Sequence, residues 1–189
     1  RWVVEMEMAE AIALELVERR LVTNQLVLTI GYDRDSLKDC TVRERYEGQV
    51  AIDYYGRQVP KHAHSTIRLG RFTSSTRMIR DAIRSLYEGI VNPEFFVRRL
   101  NVTACNVISE EQAKQQKKQP VQLDLFTDYD EIRKVEEEVE TALKRERKLQ
   151  ETVLKIKKKF GKNAILKGLN FEEGSTARER NNQIGGHKA

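Results

Sequence analysis

The sequence predicts an α+β domain, an antiparallel β-sheet with two helices on one face, followed by a long charged C-terminal helix. Three observations carry this. Two stretches ahead of Asn92 repeat apolar residues at three- and four-residue spacing, the mark of an amphipathic helix. Three other stretches keep their apolar residues on one parity, the mark of a strand with one buried face. From residue 128 onward the apolar positions thin to a single regular seam in a charged background.

Residues 2–20 form the first helix, with Trp2, Met6, Ala9, Ala13, Leu16 and Val17 along one side. "QLVLTIGY" (25–32) reads as a strand, with Leu26, Leu28 and Ile30 sharing a face. Residues 33–60 are punctuated by Asp, Gly and Pro and read as irregular. "HAHSTIRLGRF" (62–72) is a second strand, with Ile67 and Leu69 on one side and His64, Thr66 and Arg68 on the other. Residues 75–90 form a helix with the stripe Ile79, Ala82, Ile83, Leu86, Ile90; Ser74 or Ser75 caps it and Asn92-Pro93 stops it. "FFVRRLNVTACNVI" (95–108) is a third strand. Its parity places Phe96, Leu100, Val102 and Ala104 on one face and Arg99, Asn101, Thr103 and Cys105 on the other, with Arg98 ahead of a switch of parity.

The order helix, strand, strand, helix, strand places both helices against one sheet face and leaves the other open. That face is then polar and cationic. A merely solvated face is the competing reading. The charge distribution favours a phosphate-binding one. The 189 residues carry a net charge of +5, but residues 1–50 hold 7 basic against 10 acidic side chains, and residues 57–101 hold 9 against 3. A basic block of that kind points to an anionic partner, with nucleic acid the first candidate. "RFTSSTR" (Arg71–Arg77) adds a second cationic feature. It leads into a helix whose N-terminus offers free N–H groups, with Ser74, Ser75 and Thr76 supplying hydroxyls. A plain N-cap would need only one of these residues.

Residues 109–121 are a Gln/Lys-rich linker. "QLDLF", residues 122–126, then sets Leu123, Leu125 and Phe126 in polar surroundings, too few for a core element and too apolar for a linker. Over residues 128–160 a heptad seam runs through Ile132, Val135, Val139, Ala142, Glu146, Leu149, Val153, Ile156 and Phe160, with a polar break at Glu146. It suits docking or solvation better than a self-dimer. Residues 161–189 are Gly-rich, polar and expected to be flexible.

Catalytic chemistry is sparse. His62 and His64 could form a metal pair two residues apart on a strand, but no thiol or carboxylate lies near them in sequence. No phosphate-cradling glycine loop precedes a helix. With 39% hydrophobic and 33% charged residues, the chain has no apolar run long enough to span a membrane. Its two cysteines, Cys40 and Cys105, make no disulfide framework, which fits a reduced, cytoplasmic setting. The chain opens without an initiator Met, already in helical pattern, and reads as part of a longer protein.

"QLVLTIGYD", "VPKHAHSTIRLGRFTSSTRMI", "VRRLNVTACNV", "QLDLF" and the final "KKKFGKNAILKGLNFEEGSTARERNNQIGGHKA" occur in one order. Together they resemble the C-terminal part of bacterial Y-family translesion DNA polymerases of the UmuC-like, ImpB/MucB/SamB group. The resemblance implies a little finger domain over 1–108, of β-α-β-β-α-β type and here lacking its first strand. An exposed sheet edge could then pair with a second copy. It implies sequence-independent contact with primer-template duplex DNA. Arg99, Thr103 and Asn101 would lie on the sheet, with Arg98 just ahead of them at the parity switch; Arg68, Arg71, Ser74, Ser75 and Thr76 would form a second region. It also implies that Gln122, Leu123, Asp124, Leu125 and Phe126 bind the bacterial sliding clamp. The catalytic carboxylates and the magnesium they hold belong to a palm domain outside these residues, so no cofactor is expected here. Three functions compete: a DNA- and clamp-binding region of a polymerase used in lesion bypass, a non-catalytic module acting through the helix over 128–160, and a metal enzyme using His62 and His64.

Overall fold

A computed structural model describes residues 2–38, 40–116, 129–184 and 187–188. Helix α1 (Trp2–Glu18) leads into β1 (Leu21–Tyr32). A 3-10 turn at Arg34–Leu37, α2 (Cys40–Arg45), β2 (Val50–Ile52) and β3 (Gln58–Pro60) follow. Then come β4 (Ala63–Thr73), α3 (Thr76–Ile90), β5 (Val97–Cys105), β6 (Ile108–Ser109) and α4 (Glu110–Gln116). The chain closes with α5 (Tyr129–Phe160), a 3-10 turn at Gly168–Phe171, α6 (Ala177–Asn181), β7 (Gln183–Ile184) and β8 (His187–Lys188).

The fold is α+β, as the sequence predicts. β1 lies between β4 and β5, antiparallel to both, and β6 extends the pairing at Leu21 and Val22. Strand alternation decides the faces. Leu26, Leu28, Ile30 and Tyr32 turn to one side and are buried. Ile79, Ala82, Ile83 and Leu86 of α3 and Ala9, Ala13 and Leu16 of α1 cover them. Each large side chain buried here contributes about 1.5–3 kcal/mol. Ala9 and Ala13 are fully buried, and their small size lets α1 come close to its neighbours.

Two bulges re-aim side chains. In β5, Gly31 faces Arg99 while Tyr32 faces Val97, so Arg98 is an extra residue. The parity expected from the sequence places Phe96 inward. The bulge reverses it: Phe95 is buried at 1% exposure and Phe96 is 59% exposed. Phe95 packs edge-on against Tyr32 and Tyr46, with ring centroids 5.1 and 4.8 Å away. In β4, pairing with β1 jumps from Arg68 to Thr73 across a bulge that holds Gly70 at φ +69°. This left-handed backbone suits glycine.

Three regions are more ordered than the sequence suggests. Residues 33–60 contain the 3-10 turn, α2 and the β2–β3 hairpin, all too short for periodicity to reveal. The first half of the expected linker is α4, started by a reciprocal Ser109–Gln112 capping box (3.1 and 3.2 Å). The tail folds back on α1. Glu7, 4% exposed, accepts hydrogen bonds from Asn170, Ser175, Thr176 and Arg180. Lys167 also pairs with Glu10 at 3.1 Å.

Helix α5 docks on the domain through a stripe rotated from the expected seam. Gln150 is buried, and Val139, Glu140, Leu143, Glu146, Arg147, Val153 and Leu154 are half-buried. Of the expected seam, Val139, Glu146, Val153 and Ile156 are half-buried, while Val135, Ala142, Leu149 and Phe160 are exposed. Among the described residues, no helix is long and apolar enough to cross a membrane.

Candidate nucleic-acid interface

The open sheet face is built in cross-strand rows. His64, Thr29 and Asn101 form one, Thr66, Val27 and Thr103 the next, and Arg68, Gln25 and Cys105 the third. At the far end Arg99 lies opposite Gly31, where an added Cβ would meet the Arg99 Cβ at 3.4 Å. The outer-strand members His64, Thr66, Arg68, Arg99, Asn101 and Thr103 are exposed, while the β1 members are half-covered by their neighbours. Hydroxyls, an amide and two guanidiniums thus project from a rigid surface with α1 and α3 behind it. Among the described residues neither Arg68 nor Arg99 has an ion pair. The bulge residue Arg98 stands beside Arg99, 4.0 Å from the Asp33 carboxylate.

This brings together Arg68, Arg98, Arg99, Asn101 and Thr103 of the residues singled out in the sequence. The row partners Gln25 and Thr29 were legible from the parity of β1. The other predicted group sits elsewhere and is already engaged. Ser75 caps α3, its Oγ accepting from the Met78 N–H at 3.2 Å and donating to Glu146 Oε2 at 2.5 Å. The Arg77 N–H donates to Glu146 Oε1 at 3.0 Å. A carboxylate therefore occupies the N-terminus of α3, where the helix dipole and free N–H groups favour an anion. Gln150 Nε2 donates to the Ser74 carbonyl and to Thr76 Oγ1, both at 2.9 Å. Arg71 pairs with Glu140 at 2.8 Å, and Arg147 with Glu110 at 2.7 Å. A cleft of about 750 Å³ remains among β4, α4 and α5, lined in part by Arg71, Phe72, Lys114, Leu143 and Lys144. The Glu146 break in the heptad seam was the sequence signal for this docking.

His62 precedes β4 and His64 lies within it, so the two do not share a strand. Among the described residues no group of three or more His, Cys, Asp or Glu could hold a metal ion. Gln122–Phe126 lie outside the described residues.

No curated protein matches the chain. The family model of the impB/mucB/samB family C-terminal domain matches residues 3–125. The match takes in α1, the whole sheet, α3 and α4, and ends before α5.

Proposed function

The chain belongs to the impB/mucB/samB family, whose C-terminal domain it carries, and on this premise we propose that it is the DNA- and clamp-binding region of a UmuC-like Y-family translesion polymerase. The observation that carries the reading is the open face with exposed Arg68 and Arg99, its polar rows, and both helices on the opposite side. Guanidiniums and hydroxyls spaced along strands suit phosphates, and no paired side chains of the kind that read base edges accompany them. Binding is therefore sequence-independent and salt-sensitive.

A salt titration of duplex binding tests it. The log–log slope should be clearly negative, and Arg99→Ala should reduce its magnitude by about 0.9. A slope near zero sinks the proposal. The clamp half rests on "QLDLF" alone, with Leu123, Leu125 and Phe126 as apolar anchors and Gln122 and Asp124 at the rim. Replacing Leu125 and Phe126 by Ala should abolish binding to a bacterial sliding clamp; unchanged binding rejects that assignment. A second reading, α5 as a protein-docking helix, draws on the exposure of Val135, Leu149 and Phe160 along one seam.

A further inference from the structure

The β2–β3 hairpin displays two tyrosines that the fold does not use. Tyr54 is 96% exposed and Tyr55 74% exposed, in a loop held by its own first residue. Asp53 Oδ1 accepts from the Tyr55 and Arg57 N–H groups, each at 2.9 Å, and Oδ2 pairs with the Arg57 guanidinium at 2.6 Å. The Asp53 N–H donates to the Arg57 carbonyl, and Gly56 turns at φ +74°. The Arg57 side chain first, then its amide, holds the Asp53 carboxyl down at about 2, so the clasp persists across ordinary pH. The rings stand edge to face, 5.4 Å apart, and the Arg57 guanidinium lies 4.7 Å from the centre of Tyr55. A loop this constrained, whose large residues bury almost nothing, holds those rings ready for a partner.

Its position names the partner. β3 packs on the 3-10 turn that follows β1. Arg57 lies within electrostatic range of Asp33, the residue that Arg98 approaches. The hairpin thus stands at the Arg98–Arg99 end of the open face. Aromatic rings beside guanidiniums, at the end of a phosphate-binding surface, suit an unpaired nucleobase and its phosphate. We propose that Tyr54 and Tyr55 stack unpaired bases of single-stranded DNA that runs off the sheet face. This rests on the DNA-binding reading above.

The test measures binding of the full chain to a labelled thymidine oligonucleotide and to a blunt duplex. Tyr54→Ala and Tyr55→Ala should each weaken single-strand binding by about five- to a hundredfold, with duplex binding unchanged and Tyr54→Phe near the parent. Equal losses on both probes, or none on the single strand, overturn the proposal; no loss assigns the tyrosines to a protein contact. The two readings fail separately, because Arg99→Ala without effect on duplex binding defeats only the sheet-face proposal.

An independent observation carries a second inference. Glu146 sits at the start of α3 and Glu140 on Arg71, so α5 holds carboxylates against the second predicted phosphate region. We infer that α5 is a displaceable acidic cover and that duplex DNA competes with it. Glu146→Ala should tighten duplex binding on the order of tenfold, for the two hydrogen bonds no longer broken. Adding duplex to the parent should speed amide exchange over residues 140–150. Unchanged affinity with unchanged exchange overturns the cover. If the duplex binds through Arg99 in that case, the sheet-face proposal still stands.

Discussion

Replacing Glu7 by Gln should release the tail. The Glu7 side chain is 1% exposed, and the five donor groups that bond it come from four residues, all beyond α5. Oε1 accepts from Asn170 Nδ2 at 3.1 Å and Ser175 Oγ at 2.5 Å. Oε2 accepts from the Thr176 N–H at 3.1 Å, Thr176 Oγ1 at 3.2 Å and Arg180 at 3.0 Å. Gln keeps the shape but turns one oxygen into a donor facing those last three donors. Breaking a buried charge pair costs about 3–5 kcal/mol. Arg180 is 35% exposed, and solvent screening trims the figure to about 3 kcal/mol, or roughly 150-fold in tail docking. Hydrogen exchange at the Thr176 amide reads this directly. Burial alone would raise the Glu7 carboxyl; hydrogen bonds from Ser175, Asn170, Thr176 and Ala177 outweigh it and hold the group below its ordinary value. A lowered value in the docked state means the stabilisation is full above about 4.5, the unfolded value, and is lost as pH falls through the docked one. Protection of Thr176 should therefore weaken in acid. Parent-like exchange in Glu7→Gln would refute the account.

Glu5 should behave in the opposite sense. It is fully buried with neither carboxyl oxygen hydrogen-bonded, and burial pushes it up to about 7. Its folded value lies above its unfolded one, so stability is greatest below about 4.5 and falls until pH passes about 7. The advantage of Glu5→Gln in chemical denaturation should grow from near zero at acid pH to about 3 kcal/mol at alkaline pH. Gly70→Ala should cost about 1 kcal/mol in the same assay, from the left-handed backbone alone, since no atom lies within 4 Å of the added Cβ. Phe95→Ala removes a ring packed between Tyr32 and Tyr46 and should cost about 3–5 kcal/mol.

The long elements were legible because each repeats a single period many times. The stripe Ile79, Ala82, Ile83, Leu86 of α3 and the parity of Leu26, Leu28, Ile30 in β1 are the buried sets the structure shows. Departures arise where one residue breaks the period. The extra Arg98 inverts the parity of the residues ahead of it, so Val97 and Phe95 turn inward and Phe96 outward. The α4 start was readable in Ser109-x-x-Gln112 but lay inside a composition that suggested a linker. The α5 stripe was only partly readable from hydrophobicity: Val139, Val153 and Ile156 of the seam are half-buried, but Glu140, Arg147 and Gln150 lie outside the seam and, like Glu146, dock by hydrogen bonds and ion pairs. The Glu7 clasp joins residues 163 or more positions apart, a separation no local pattern encodes.

α4 also changes the geometry expected between the proposed DNA-binding face and the proposed clamp-binding motif. The linker read from the sequence spans residues 109–121, but α4 takes Glu110–Gln116 out of it. Six residue steps separate Gln116 from Gln122, and a fully extended chain covers at most about 3.6 Å per step, or about 22 Å in all. A clamp holding that motif must therefore sit close to the end of α4. If the motif binds a clamp as proposed, its three anchors would give roughly 5–9 kcal/mol gross, and ordering the peptide would leave a site of about micromolar strength. Such a contact gains most from a short tether, because effective concentration falls roughly as the −3/2 power of tether length once the span is met. Inserting a Gly/Ser segment after Gln116 should leave the clamp affinity of the free protein unchanged. It should weaken retention on clamp-loaded duplex, measured as a faster off-rate. An off-rate indifferent to the insertion would show that the two contacts act separately.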